Sequence, residues 1–433
     1  LPEEPSLPTR PDSEYQKTAL PGGVRVVTET ISDVRTVALG IWAQTGSRFE
    51  PPSRSGIAHF VEHMMFKGTR RRTARQIAEQ TDALGAQVNA FTDKELTCYY
   101  ARVLSDHLPK VIDILTDMVT DSLFSEDAIE TERRVILEEI KMYEDSPDDL
   151  VQDLFLETIW SGDALGRPVI GKQETISQIR RPDFLEFMAS QYRPQRILVA
   201  AAGDVQHEDL VGMITGPLSR ISGDAASRET ASPRITAATA FRAKDVEQVH
   251  LCLGRPGVPV GHPDRFVQSV LDNIAGGGMS SRLFQEVREK RGLVYSIGTY
   301  STMYSDAGTF SAHAGTSPHR VEEVLQITLR ELGRLREEPV PPAELQRAKD
   351  SLKGGLMLSL EGTAPRMFFL SRSELYYGRR ITLDEILEEI DAVTGERVQH
   401  LAARILNGGP ALAAIGPVES EATVRRALDV AAA

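Results

Sequence analysis

The sequence predicts an α+β protein made of two homologous halves, each a mainly antiparallel sheet packed with helices. Three observations carry that reading. Two apolar runs, ILVAAAGDV at 197–205 and ALAAIGPV at 411–418, read as strands ending at a glycine turn, and Gly203 and Gly416 lie 213 residues apart. Upstream of each run stands a similar helical pattern, ETISQIRRPDFLEFMASQY in one case and LDEILEEIDAVTGERVQHLAARI in the other; further upstream LPKVIDILTDMV pairs with VEEVLQITLREL, each amphipathic by its i, i+3, i+4 apolar spacing. The alternating stretch VRTVALGIWA (35–44) has a counterpart in VEQVHLCLG (246–254). Halves of roughly 200 residues are ordinary domain sizes and fit a duplicated unit.

The domain boundaries follow from composition. Residues 218–239 (LSRISGDAASRETASPRITAAT) are rich in Ser, Thr, Ala and Arg and read as an exposed linker, a long surface loop being the alternative. The expected domains are therefore 1–217 and 240–433. The chain has 433 residues, 41% hydrophobic and 26% charged, enough to bury full cores. Lys plus Arg number 49 against 62 Asp plus Glu, a net charge of −13. That excludes a general nucleic-acid binder and is compatible with basic peptide ligands. No apolar run approaches the roughly 18 residues of a membrane span. The first 20 residues carry no apolar signal core, and the chain begins at Leu1 rather than Met, so a cytoplasmic location with a truncated N-terminus is expected. Cys98 and Cys252 are too few for a disulfide framework and suggest a reducing compartment.

The chemistry is concentrated at His59-Phe-Val-Glu62-His63, within SGIAHFVEHMMFKGT. This reads as a short helix, with Ser55 able to cap its start and Gly68 able to end it. Residues four apart share a helix face, so His59 and His63 can both reach one Zn²⁺. Glu62 lies beside them and can take a proton from water. The order HxxEH reverses the commoner HExxH and is the inverzincin pattern.

A catalytic zinc site takes a third protein ligand. His107 stands before a helix, and the remaining histidines are in the second half. The acidic helix SEDAIETERRVILEEIKMYE is the better source. Ile129, Val135, Ile136, Ile140 and Tyr143 make its apolar stripe, and Glu132 and Glu139, two turns apart, flank that stripe. A carboxylate facing a core is costly unless paired or metal-bound. Glu138 points about 100° away from Glu139. Spacing alone leaves Glu139 open between ligand and solvated surface charge.

GSRFEPPSRSGIAHFVEHMMFKGT resembles the signature region of the pitrilysin family of zinc peptidases, and nearly the whole chain is similar to its short two-domain branch, which includes mitochondrial processing peptidase subunits and bacterial relatives. That resemblance implies a zinc endopeptidase with one Zn²⁺ per chain, held by His59, His63 and Glu139. The third ligand of the family stands about 76 residues after the second His, which is Glu139 here, and a supporting acid seven residues earlier falls on Glu132. It also implies that GAQVNAFTDKELTCYYARV (85–103) contains an edge strand beside the metal, where Asn89, Ala90 and Phe91 would pair with a peptide substrate through backbone hydrogen bonds.

In the second half, AGGGMSSRLFQEVREKRGLVYSIGTYS runs from a Gly-rich loop into a helix and then a strand. No GxxxxGK[ST] accompanies the glycines, and no second HxxEH occurs. By resemblance this segment supplies an Arg and, seven residues later, a Tyr: Arg288 and Tyr295, with Arg282 and Arg291 as competitors. The resemblance further implies two halves facing each other as half-shells around a cavity, and a homodimer, since the zinc motif and the Arg/Tyr pair stand on one chain. A non-catalytic recognition or scaffold subunit of the same fold is the rival reading.

Overall fold

The computed structural model describes residues 14–228 and 233–432. The first sheet has six strands: β1 (Glu14–Ala19), β2 (Arg25–Thr30), β3 (Thr36–Ala43), β4 (Gln87–Thr92), β5 (Thr97–Leu104) and β6 (Ile197–Gly203), in the order β1-β2-β6-β3-β5-β4. The second has five: β7 (Thr239–Ala243), β8 (Val249–Gly257), β9 (Val294–Met303), β10 (Gly308–Thr316) and β11 (Ala411–Gly416), in the order β7-β11-β8-β10-β9. Matching β2, β6, β3, β5 and β4 to β7, β11, β8, β10 and β9 makes the two orders identical, which is the duplication. Each sheet has one parallel pair, β2 with β6 and β7 with β11. The other pairings are antiparallel, and neither sheet closes.

The strands β6 and β11 are apolar and buried throughout because both faces of each sheet are covered. The helix Pro147–Ile159, from the first half, packs on β8 and β11 of the second sheet; the helix Thr363–Tyr377, from the second half, packs on β2, β3 and β6 of the first. Val151, Phe155 and Ile159 thus meet Cys252, Ala413 and Ile415, while Met367 and Leu370 meet Val27, Trp42 and Ala200. The halves exchange a helix, and each sheet depends on the other half for one of its two cores. Gly203 ends β6 at φ +129°, with Thr36 O only 2.2 Å from where a Cβ would stand, so no other residue fits the turn.

Two expectations shift. The strand expected at 246–254 runs from Val249 to Gly257, because its nine-residue pairing with β10 sets its ends. Each of the matched helical patterns before β6 and β11 is two helices, Gln173–Ile176 with Arg181–Gln191, and Leu383–Asp391 with Gly395–Ile405. Pro182 stands in the first turn of the second helix of the first pair, and the Thr394 side chain, accepting from Arg397 N–H, caps the second helix of the other. The described part of 219–238 contains no helix or strand, yet it is tied to the first half. The Arg196 and Arg193 side chains donate to Ala226 O and Ser222 O, and Arg228 donates to Gln44 O and stacks on Phe49.

A buried ion network joins the halves. Arg48 donates to Glu95 at 2.6 Å and bidentately to Asp306 at 2.6 and 2.7 Å, while Glu95 also accepts from Ser305 N–H and Oγ at 3.0 and 2.6 Å. Arg48 and Glu95 are 4% and 5% exposed. Removing one member of such a network strands the others without a counter-charge, at about 3–5 kcal/mol. Arg48→Met is therefore expected to lower unfolding free energy by about that amount in urea at pH 7, whereas the triple variant Arg48→Met, Glu95→Gln, Asp306→Asn should recover most of it. Equal losses in the single and triple variants would mean that packing, not charge, sets the cost.

Candidate active site

The motif helix runs Ile57–Met65. Ile57, Ala58, Phe60, Val61, Met64 and Met65 are buried against the first half's core, so His59, Glu62 and His63 are left together on the remaining face. Ser55 does not cap this helix: its Oγ is buried without a hydrogen-bond partner. The cap comes from Glu50, whose carboxylate accepts from Gly56 N–H at 2.8 Å and Ala58 N–H at 2.7 Å. Burial pushes Glu50 up to about 7 in spite of those two donors. Gly56 sits at φ +94° against Ile170 O and Gly171, so the chain can enter the helix only through glycine. The helix stops at Phe66, short of the expected Gly68, which instead bridges to Thr73 in the following turn.

The acidic helix spans Glu126–Glu144 and buries Ile129, Glu132, Arg133, Ile136 and Ile140. Val135 and Tyr143, expected in the stripe, are 48% and 41% exposed: Val135 lies about 100° from Ile136 around the helix, whereas Tyr143 keeps to the line of Ile129, Ile136 and Ile140 but stands in the last turn. The helix lies across the motif helix. It brings Glu139 Oε1 within 3.8 Å of His59 Nε2 and Oε2 within 3.6 Å of His63 Nε2. One donor atom from each of these three residues lies within 4.8 Å of the others. Glu132 accepts from His63 Nδ1 at 2.9 Å and pairs with Lys67 at 2.7 Å. Glu138 points to solvent and pairs with Lys141.

Donors held at about 2.0–2.2 Å by a tetrahedral ion stand about 3.3–3.6 Å apart, so the observed spacing suits a zinc ion with little movement. The protonation state of His59 suits it too. Burial, with His63 beside it, holds His59 down at about 3, so its imidazole is neutral with a free lone pair. Burial acts against a charged His63, but its hydrogen bond to Glu132 and the carboxylates of Glu139, Glu132 and Glu62 outweigh this and raise it. The same bond fixes Nδ1 as the donor and leaves Nε2 facing Glu139. Burial pushes Glu132 upward, yet His63 and Lys67 hold it below the usual carboxylate range. Glu139 is raised, chiefly by burial.

Glu62 Oε2 accepts from Thr92 Oγ1 at 2.6 Å, and burial raises its carboxyl above the ordinary range. Thr92 ends β4, which among the described residues pairs only with β5 and stands at the edge of the sheet. Asn89, Ala90 and Phe91 lie on this edge strand, and Asn89 Oδ1 accepts the Ala90 N–H at 2.8 Å. Phe91 turns back to Trp42, with ring centroids 5.5 Å apart. Thr92, Lys67 and Glu50 escaped sequence reasoning. Lys67 alone had a signal, standing four residues after His63, the spacing that shares a face in an uninterrupted helix. Thr92 and Glu50 reach the site from other elements.

Arg288 and Tyr295 stand together in the second half. Arg288 lies in a π-helical turn, Phe284–Glu289, and its guanidinium stacks on the rings of Phe284 and Tyr295 at 4.7 and 5.2 Å. Tyr295, near the start of β9, is 79% exposed. The competitors are committed elsewhere, Arg282 bidentately to Glu344 and Arg291 to Glu286, whereas among the described residues the one carboxylate paired with Arg288 is Glu289 at 4.0 Å. Among the described residues no hydrogen bond or ion pair ties Arg288 or Tyr295 to the first half. His107, set aside as a ligand, faces Leu84 O at 3.1 Å.

The family model for insulinase (peptidase family M16) matches residues 25–173, and that for the peptidase M16 inactive domain matches residues 178–352. A protein of Streptomyces coelicolor named as an uncharacterized zinc protease is 41% identical over 420 residues, 95% of this chain and 91% of that protein. The uncharacterized zinc protease YmxG of Bacillus subtilis is 41% identical over 395 residues, 91% of this chain and 96% of that protein. Among solved structures, a protease from Helicobacter pylori superposes with a TM-score of 0.86 at 21% identity, covering 94% of this chain and all of that one. A peptidase M16 inactive domain from Pseudomonas fluorescens superposes with a TM-score of 0.88 at 20% identity, covering 94% and 98%.

Proposed function

This chain belongs to the insulinase family of peptidases, M16, and on that premise we propose that it is a zinc-dependent endopeptidase acting on unfolded peptides. The observation that carries the proposal is the triangle of His59, His63 and Glu139 with Glu62 alongside and Glu132 behind. Zinc held by those three residues would acidify water and polarise the peptide carbonyl. Glu62 takes the proton from the attacking water and returns it to the leaving amine. The hydrogen bond from Thr92 holds one oxygen of Glu62 and leaves the other for that task. Glu132 fixes the tautomer of His63, and Lys67 keeps Glu132 ionised.

The substrate is extended, pairing with the open edge of β4 at Asn89–Phe91, so its backbone is gripped with little demand on sequence. Tyr295 donates to the scissile carbonyl oxygen as charge develops there, and Arg288 holds backbone carbonyls of the same peptide. The peptide itself is then what links Arg288 and Tyr295 to the groups of the first half. Domains 1–217 and 240–433, joined through 218–239, would enclose it as two half-shells. Two chains would associate as a homodimer, each carrying a full set of groups. A net charge of −13 favours basic peptides, presequence-like ones included.

Tyr295→Phe is expected to keep zinc and lose roughly 3–4 kcal/mol of transition-state stabilisation, read mainly in kcat. An unchanged kcat would make Tyr295 a surface aromatic. The proposal as a whole is tested by cleavage of a quenched peptide library by the zinc-loaded protein, before and after removal of metal with a chelator and after its return. Activity lost and restored with zinc supports it; no cleavage at full zinc occupancy would leave the scaffold reading. Light scattering of the purified chain tests the dimer.

A further inference from the structure

The second half contains a cavity of about 370 Å³ that shares no residue with the site above. Its walls come from β8, β10, the helix Val321–Glu337, the turn at 406–410 and the C-terminal helix Glu421–Ala432. Phe310, Leu332, Leu406 and Leu428 make it apolar. Two arginines, Arg255 and Arg336, open into it, and among the described residues no carboxylate lines it.

Arginines on a protein surface normally find a carboxylate or a carbonyl. Among the described residues, neither of these side chains forms an ion pair, and Arg336 Nε is buried without any hydrogen-bond partner. Burial and the nearby Arg336 charge both hold Arg255 below its usual value, so the two cations work against each other. Two unneutralised guanidiniums against an apolar wall cost free energy unless an anion joins them. Arg255 lies over Gly408, which is at φ +85°, with Nη1 3.3 Å from where a Cβ would stand. A side chain at 408 would crowd the guanidinium. The volume is at the lower end of the about 300–1,000 Å³ typical of small-molecule sites.

We propose that this cavity binds an organic anion with an aliphatic body, its carboxylate bridging Arg255 and Arg336 and its chain lying on Phe310, Leu332, Leu406 and Leu428. A carboxylate has the paired oxygens that two guanidiniums match, and the apolar wall rewards a chain attached to it. A fatty acid and the free C-terminus of a peptide ending in leucines share this chemistry.

Calorimetric titration of the full chain separates these sources. The probes are decanoate, decanol, inorganic phosphate, and a short peptide ending in Leu-Leu as free acid and as amide. At least one of the two carboxylates is expected to bind at least tenfold more tightly than its uncharged counterpart, and which one identifies the source. Arg255→Gln and Arg336→Gln should each weaken that binding at least tenfold, with thermal unfolding of both variants confirming the fold. In the unaltered protein, a diazirine-bearing analogue of the tighter ligand should label the cavity walls, at residues 253–255, 310, 329–336, 406–410 or 428. Equal binding of charged and uncharged probes, inorganic phosphate binding as tightly as either carboxylate, variants that bind as the parent does, or labelling confined to other segments would each overturn the proposal. Because no peptide hydrolysis is read, the outcome is independent of the peptidase reading.

Discussion

Glu62→Gln is expected to bind zinc as the parent does and to lose on the order of 10²–10⁴-fold in kcat, more if the same group also returns the proton to the leaving amine. The amide keeps the volume of the carboxylate, and its oxygen can still accept from Thr92, so the geometry at the end of β4 survives. What disappears is the ability to hold a proton. Burial raises Glu62 above the ordinary carboxylate range, which moves a general base toward the pH at which it must work. Zinc content by mass spectrometry alongside kcat on a quenched peptide makes the test. A parent-like rate at full zinc occupancy would remove Glu62 from the chemistry.

Glu139→Gln should release zinc, and by more than the roughly 10–100-fold in affinity that loss of an outer-shell partner costs. Two nearby variants calibrate the result. Glu132→Gln, which disturbs the hydrogen bond to His63 and the pair with Lys67, should fall within that 10–100-fold band. Glu138→Gln should change nothing, since Glu138 faces solvent beside Lys141. Competition for zinc against a chromophoric chelator ranks all three. Equal affinity for the 138 and 139 variants would reopen the choice of third ligand.

Residues whose neighbours lie within one helical turn, or in one strand run, were legible in the sequence. His59, Glu62 and His63 share a face because of the 3.6-residue repeat alone. The 213-residue echo of the two glycine-ended runs announces a duplicated unit, and the pairing of the strands shows both sheets in the same order. Glu139 is different: its helix is legible, but spacing alone does not separate a ligand from a surface charge, and the resemblance to the family supplies the choice. The misplaced Val135 and Tyr143 show the limit of periodicity, which identifies apolar residues but not which of them a neighbouring element covers.

The sequence by itself determined the duplication, the strand-and-helix alternation and the face that presents His59, Glu62 and His63, because each rests on contacts between near neighbours in the chain. Tertiary structure alone decided the rest. Glu50 caps the motif helix from a preceding loop, Thr92 reaches Glu62 from thirty residues away, and Glu132 meets His63 across 69. Arg48 finds Asp306 across 258 residues, and the helices Pro147–Ile159 and Thr363–Tyr377 each cover the opposite half's sheet. Partners so distant leave no periodic mark, since nothing in local backbone geometry relates their positions. They are selected only when burial forces each polar group to find a mate and each apolar sheet face to find a cover.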